Sequence, residues 1–320
     1  MGQDLTIVMY HYVRNLALSR YPAVKARDLA EFRFQLDYIA RHHTVVTAEE
    51  VMAAALGEMT LPENACWLTF DDGYIDHYLT VFPLLHERRW QGSFFPPART
   101  GQEDGLLDVN RIHFTLAVQQ DPAPLIADIR AFVDERTGEP GIRPFDEYWM
   151  EWAHPSRFDP APVVFVKRML QQALPGRLRS LLSDMLFRRY VSVDPASFAA
   201  ELYMSDDQLR LMQGCGMYVG SHGSAHCWMD RLDRADQERD IDQSLAFLDR
   251  IGAPTDRWVM CYPYGLWNAS LLEVARARGA VVGLTTQSAV ARIGCDDPLL
   301  LPRLDTNELP IAAALRRPVG

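Results

Sequence analysis

Two aspartates, Asp71 and Asp72, stand side by side in "LTFDDGYIDH" (68–77), after an apolar run and before a glycine. A carboxylate at a helix N-terminus satisfies orphan N–H groups and complements the macrodipole, but one is enough for that. The second suggests a divided task, one carboxylate holding a cation while its neighbour handles a proton. A second cluster, "SHGSAH" (221–226), sets His222 and His226 within reach of one ion. With a carboxylate from another strand end they make a three-ligand catalytic set whose fourth position stays open for water. Such a set suits one divalent transition metal: Zn²⁺ first, with Co²⁺, Ni²⁺ or Fe²⁺ able to take the same ligands.

These residues need elements that bring them together. "LTIVMYHYV" is a nearly continuous apolar and aromatic run, the pattern of a strand buried on both faces, and it ends near His11. Residues 28–42 space Leu29, Phe32, Leu36 and Ile39 at helical intervals, and Thr47 with Glu50 forms a capping box for a second helix stopped by Gly57. The alternation continues through strand "CWLTF", a helix over roughly 75–89 and strand "GSFF". It resumes with a capped helix from Ser205, strand "MYVG", a helix over 235–251, strand "WVMC", a helix over 268–278 and strand "AVVGL". Strands alternating with helices imply a parallel sheet, open or closed into a barrel, whose site forms at the C-terminal strand ends. His11, the Asp71–Asp72 pair, the His222–His226 pair and "YPYG" (262–265) each follow a strand, so they converge on one rim.

About 100 residues between "GSFF" and Ser205 break this rhythm and are too long for an ordinary connection. Apolar helical stretches such as "PVVFVKRMLQQAL" and the aromatic "FDEYWMEWAHP" mark an insertion. It packs beside the core, makes a homo-oligomer contact or grips substrate as a lid.

With 48% hydrophobic residues the 320-residue chain can bury a large core, and its net charge of −10 disfavours nucleic acid or an anionic membrane as the main partner. Neutral sugars or small molecules fit better. The N-terminal "MGQDLTIVMYHYV" lacks the pattern of a signal peptide, and no apolar run is long enough to cross a bilayer, so a cytoplasmic location is expected. Five cysteines, odd in number and without metal-type spacing, agree with a reducing compartment.

The motifs "TFDDG" (69–73), "SHGSAH" (221–226) and "YPYG" (262–265), in that order and flanked by "MYHYV" and "LPRLDTNEL", resemble those of the polysaccharide deacetylases of carbohydrate esterase family 4. The resemblance covers roughly 1–100 and 204–310. It implies an α/β fold, a distorted (β/α) barrel of parallel strands built from 1–97 and 204–320, and leaves the largely helical insertion over 98–203 unexplained. Carried over residue by residue, it implies Asp71 as general base and Asp72, His222 and His226 as metal ligands. It also implies the backbone N–H of Tyr264 as oxyanion donor, since Pro263 has none.

Three departures accompany the resemblance. Gly223 follows the first metal histidine where the family usually has Ser or Thr. Cys261 stands where an arginine that orients the base is often found; Arg303 either substitutes for it or forms a structural ion pair. No histidine occurs after His226, so the C-terminal general acid of the family is missing. His11 sits where circularly permuted relatives supply that acid, the alternative being a histidine bonded at a strand end. Trp228 and Trp267 are candidates to stack on a sugar or to pack, and Asp305 and Asn307 to contact substrate or form a turn.

The function expected is metal-dependent N-deacetylation of an acetylated amino sugar in a bacterial surface polysaccharide or its precursor, such as O-antigen or capsule. The rivals are a deformylase or another metal amidohydrolase acting on a sugar, and a non-catalytic glycan-binding protein of the same fold.

Overall fold

The computed structural model describes residues 2–101, 105–156 and 159–312. The described residues fall into two compact units, one from Met1–Asn15, Ala26–Gly105 and Ala200–Gly320, the other from Leu16–Lys25 and Leu106–Ala199.

The first unit is an α/β assembly whose largest sheet is mixed. Its centre pairs the first strand, Gln3–Tyr10, in parallel with Ala65–Asp71, which is buried throughout as its unbroken apolar sequence requires. Ser93–Phe95 and Tyr218–Val219 continue the sheet in parallel on that side. On the other side the short strand Leu304–Asp305 lies parallel to the first strand. A separate parallel pair is formed by Trp258–Cys261 and Ala280–Leu284. Single-residue bridges, Ser221 to Met260 and Leu284 to Leu301, link that pair to neighbouring chain.

One expectation is corrected. Ala291–Ile293 runs antiparallel to the first strand, so the strands are not all parallel. The loop from Leu284 to Ala291 carries no helix, and a parallel return needs a crossover of roughly a dozen residues.

The period of two along the strands divides the core. Val8, Tyr10, Leu68 and Phe70 pack with Phe32, Leu36 and Ile39 of the helix Leu29–His42 and with Phe247 and Leu248 of the helix Arg234–Ile251. Their alternates Leu5, Ile7 and Trp67 pack with Val259, Cys261, Val282 and Leu284. The helices start where caps are offered: Thr47 and Glu50 form a capping box before Ala48–Ala55, and Ser205 and Gln208 do so before Asp206–Gly214. The helix expected over 75–89 begins as a wide π-helical turn, His77–Val81, and continues as Phe82–Glu87.

The second unit is helical. Asp108–Val118, Pro122–Asp134, Phe145–Trp152, Ala161–Arg168 and Gly176–Tyr190 enclose a core that includes Leu125, Ile129, Phe165, Leu182 and Leu186. Leu16–Lys25 belongs to the same unit, and its Tyr21 ring stands edge-on to Phe114 at 5.0 Å. No helix among the described residues is long and apolar enough to cross a membrane.

Candidate active site

Strand register sets the first distances. Tyr10 pairs with Phe70, so the next residues, His11 and Asp71, emerge side by side, and Asp71 in turn pairs with Phe95. Neither aspartate is spent on a helix cap. Asp71 accepts from Arg303 at both oxygens, Nη1 to Oδ1 at 2.9 Å and Nη2 to Oδ2 at 2.8 Å. The Cys261 thiol lies 3.4 Å from Oδ1, and His11 Nε2 lies 3.9 Å from Oδ2. Arg303 is only 1% exposed, and its Nε donates to the Thr285 carbonyl at 2.9 Å. Burial alone raises a carboxyl pKa, but the Arg303 guanidinium outweighs it, with help from His222, and holds Asp71 at about 2. Burial pushes the Cys261 thiol up, so it faces Asp71 as a neutral S–H.

Asp72 turns the other way. Its φ of 72° is left-handed, which costs a non-glycine residue energy, and its N–H donates to the Phe95 carbonyl at 3.0 Å. The next residue, Gly73, has φ 68°, and a Cβ there would stand 2.6 Å from Pro96 Cβ. The turn directs Asp72 Oδ1 at two imidazoles, 3.4 Å from His222 Nε2 and 3.2 Å from His226 Nε2. Oδ2 is occupied by the Tyr74 hydroxyl, which donates at 2.6 Å. His226 and Tyr264 also have left-handed φ, 49° and 59°, so three of the five described non-glycine residues with positive φ lie here.

His222 Nδ1 sits 2.7 Å from the Cys261 carbonyl, an acceptor only, so Nδ1 carries a proton and Nε2 is the ring atom turned towards Asp72. Asp72 Oδ1 is buried without a hydrogen-bond partner. Two imidazole nitrogens and an orphaned carboxylate oxygen within 4.8 Å of one another fit a divalent cation. A second set, Asp71, His222 and Cys261, meets the same distance. There the Arg303 guanidinium already occupies both carboxylate oxygens.

The other expected residues divide. Tyr264 lies beside the histidines, its ring 4.8 Å from His226 and 5.1 Å from Trp228. Trp228 is half-buried under Arg231, whose guanidinium lies 4.2 Å from the ring, and Trp267 is 43% exposed. Asp305 and Asn307 are engaged in a turn: Asp305 Oδ1 accepts from the Asn307 backbone at 2.8 Å, and Asn307 Oδ1 accepts from Arg27 at 2.6 Å. His11 is the exposed member, its side chain 40% accessible.

His77 escaped the sequence reading. It is wholly buried, and its Nε2 donates to the backbone carbonyl of His11 at 2.8 Å. Burial lowers its pKa to about 4, so the ring is neutral and this bond fixes its tautomer. Arg14 with Asp76 at 2.7 Å and the stacked rings of Tyr12 and Tyr74 at 3.9 Å tie the same two segments together. The only signal was a histidine five residues past the aspartate pair, which reads equally as helix surface.

The fold and the arrangement of the site are similar to those of polysaccharide deacetylases. The polysaccharide deacetylase family profile matches residues 191–283. The resemblance to carbohydrate esterase family 4 is supported. A curated relative, the poly-β-1,6-N-acetyl-D-glucosamine N-deacetylase of Escherichia coli K12, is 32% identical over 91 residues. That stretch is 28% of this chain and 13% of the relative, so the chain spans a small part of that protein's length. Among solved structures, the Streptococcus pyogenes deacetylase PplD in complex with acetate superposes with a TM-score of 0.59 at 16% identity, covering 95% of this chain and 93% of that one. IcaB from Ammonifex degensii gives 0.55 at 21% identity, covering 95% and 92%. At these identities the two structures establish the fold. The deacetylases matched are hydrolases.

Proposed function

We propose that the chain is a metal-dependent N-deacetylase that hydrolyses the acetamide of an N-acetylated amino sugar in a polysaccharide. The observation that carries this reading is the orphaned, buried Asp72 Oδ1 facing two imidazole nitrogens beside a second, ionised carboxylate. A cap or a satisfied core cluster has no use for that arrangement. The curated relative acts on poly-β-1,6-N-acetyl-D-glucosamine, and we carry over its chemical class, a glycan of N-acetylhexosamine.

In this reading Asp72, His222 and His226 hold the metal. Held there, a divalent metal would supply polarisation of the acetyl carbonyl and a water nucleophile at neutral pH. Asp71 accepts the proton of the attacking water. Arg303 keeps it ionised and fixed in direction, and Oδ2 retains a lone pair on the side of His11. The Tyr264 N–H is the donor assigned to the developing oxyanion. His11, at the exposed rim, gives a proton to the departing amine. The barrel closure expected for the first unit, the assignment of 98–203 to substrate choice or oligomer contact, and a cytoplasmic location belong to this same proposal.

The test is to incubate the full chain, loaded with Zn²⁺ and stripped of it, with poly-β-1,6-N-acetyl-D-glucosamine and with N-formylated and O-acetylated analogues, measuring acetate, formate and free amine. Metal-dependent acetate with stoichiometric free amine is expected. Formate as the preferred product favours the deformylase rival, and binding without turnover favours the glycan-binding one.

A further inference from the structure

The loop that carries both imidazoles has no bracing side chain directly after His222, because Gly223 stands there. The brace comes from another element. The helix Arg234–Ile251 presents Asp240, Gln243 and Ser244, spaced i, i+3 and i+4, to the loop. Asp240 Oδ1 accepts from the Ser224 N–H at 2.7 Å and Oδ2 from the Ala225 N–H at 3.1 Å, so one carboxylate ties two successive amides lying between the histidines. Gln243 Oε1 accepts from Ser224 Oγ at 3.1 Å, and the Ser244 and Ser221 hydroxyls meet at 2.7 Å. Asp240 is 6% exposed.

Gly223 and Asp240 form a matched pair. Gly223 has φ 67°, and a Cβ there would come within 2.8 Å of Asp240 Oδ1. The carboxylate reaches the amides only because the glycine leaves that space. The resulting turn carries His226 at its left-handed φ of 49° and directs its Nε2 towards Asp72.

We infer that Asp240 is the positioning residue of the metal site: its carboxylate, clamping the amides of Ser224 and Ala225 across the space left by Gly223, sets the angle between the His222 and His226 rings. This rests on the metal-site reading above. Two fixed N–H···O⁻ bonds on a two-residue span leave that loop little freedom, and displaced ligands lose affinity even when all of them remain.

The test uses the full chain. Zn²⁺ affinity is measured by competition with a chromophoric chelator, alongside the melting temperature of the metal-stripped protein, for wild type, Asp240→Asn, Asp240→Ala, Gly223→Ala and the Gly223→Ala/Asp240→Ala double variant. Asp240→Ala is expected to weaken Zn²⁺ binding by about 10- to 100-fold, the usual scale for groups that orient metal ligands, with Asp240→Asn intermediate because one acceptor remains. The double variant should lose less than the sum of its parts, since removing the carboxylate relieves the crowding. Wild-type Zn²⁺ affinity in Asp240→Asn and Asp240→Ala, with only the melting temperature lowered, makes Asp240 a purely structural residue and overturns the inference. If Asp240→Ala does not fold, Asp240→Asn and Gly223→Ala carry the same decision. A wild-type chain that takes up no Zn²⁺ removes the metal-site reading itself, and this inference with it.

Discussion

Arg303 grips Asp71 at both carboxylate oxygens, at 2.8 and 2.9 Å, with both side chains buried, although 232 residues separate them. Cys261 occupies the sequence position where the family resemblance implies an arginine, and the Arg303 guanidinium reaches Asp71 from a different segment instead. A planar fork matching a carboxylate fixes direction as well as charge, which a lysine at the same place does not.

Arg303→Met is therefore expected to retain bound metal and lose turnover, and Arg303→Lys to recover little of it. Loss of an oriented base costs about 10²-fold or more. Metal analysis beside steady-state kinetics on an N-acetylated glycan decides this; near-normal turnover in Arg303→Lys shows that charge alone suffices.

The two aspartates should fail differently. Asp72→Asn weakens a ligand, so metal affinity and activity fall together. Asp71→Asn keeps the metal, loses turnover by about 10²-fold or more and also destabilises the fold, because it leaves Arg303 buried without its partner, a loss of about 3–5 kcal/mol. Metal content and chemical denaturation of both variants separate the roles; a metal-free Asp71→Asn exchanges them.

Removing His222 or His226 should abolish stoichiometric metal, and a chelator should silence the wild type reversibly. Full occupancy in both His→Ala variants dismantles the ligand set. His113 and His154, in the helical unit, are the controls whose replacement leaves metal in place.

His11→Ala should keep metal and lose rate, most visibly at alkaline pH, where a protonated acid is needed to release the amine. His77→Phe is expected to act on the same limb more weakly and to destabilise the fold by about 1–3 kcal/mol, because the His11 carbonyl loses its buried donor. A His77→Phe pH profile superimposable on wild type confines His77 to packing.

Acid stability follows from the same ion pair. The folded Asp71 pKa of about 2 lies below its ordinary 3.8, so its pairing is fully stabilising above the ordinary value and is lost as pH falls through about 2. In Arg303→Met the buried carboxyl has no counter-charge, so acidification relieves it. Urea denaturation of metal-stripped wild type and Arg303→Met should show a stability gap that narrows as pH falls; a gap independent of pH means the two groups are not an ionised pair.

Asp71, Asp72, His222 and His226 were legible because each lies in a short motif directly after an apolar run, where strand ends carry chemistry. The long apolar strands and the capped helices were legible for the same reason, since their signals are local. Ala291–Ile293 was not, being three residues long and antiparallel only by virtue of the loop before it. Asp240 and His77 were hidden because a polar residue on an amphipathic helix looks the same whether it meets water or a loop amide. The role of Arg303 depends on the strand pairing of Leu304 with Val8, which no neighbouring residue announces. The turn formed by Asp305 and Asn307 was one of two readings that the same polar residues allow.

The long sequence separation between Arg303 and Asp71 also has a bearing on how the chain is made. A ribosome delivers the Asp71–Asp72 pair early, then the helical unit, and the guanidinium only near the close of the described chain. Until it arrives, the strand Ala65–Asp71 cannot bury its last residue without leaving a charge unpaired, and the first strand lacks its partners at Ala291–Ile293 and Leu304–Asp305. The rim of the site is therefore closed by contacts of long sequence separation, which carry a larger loop-closure cost than local ones.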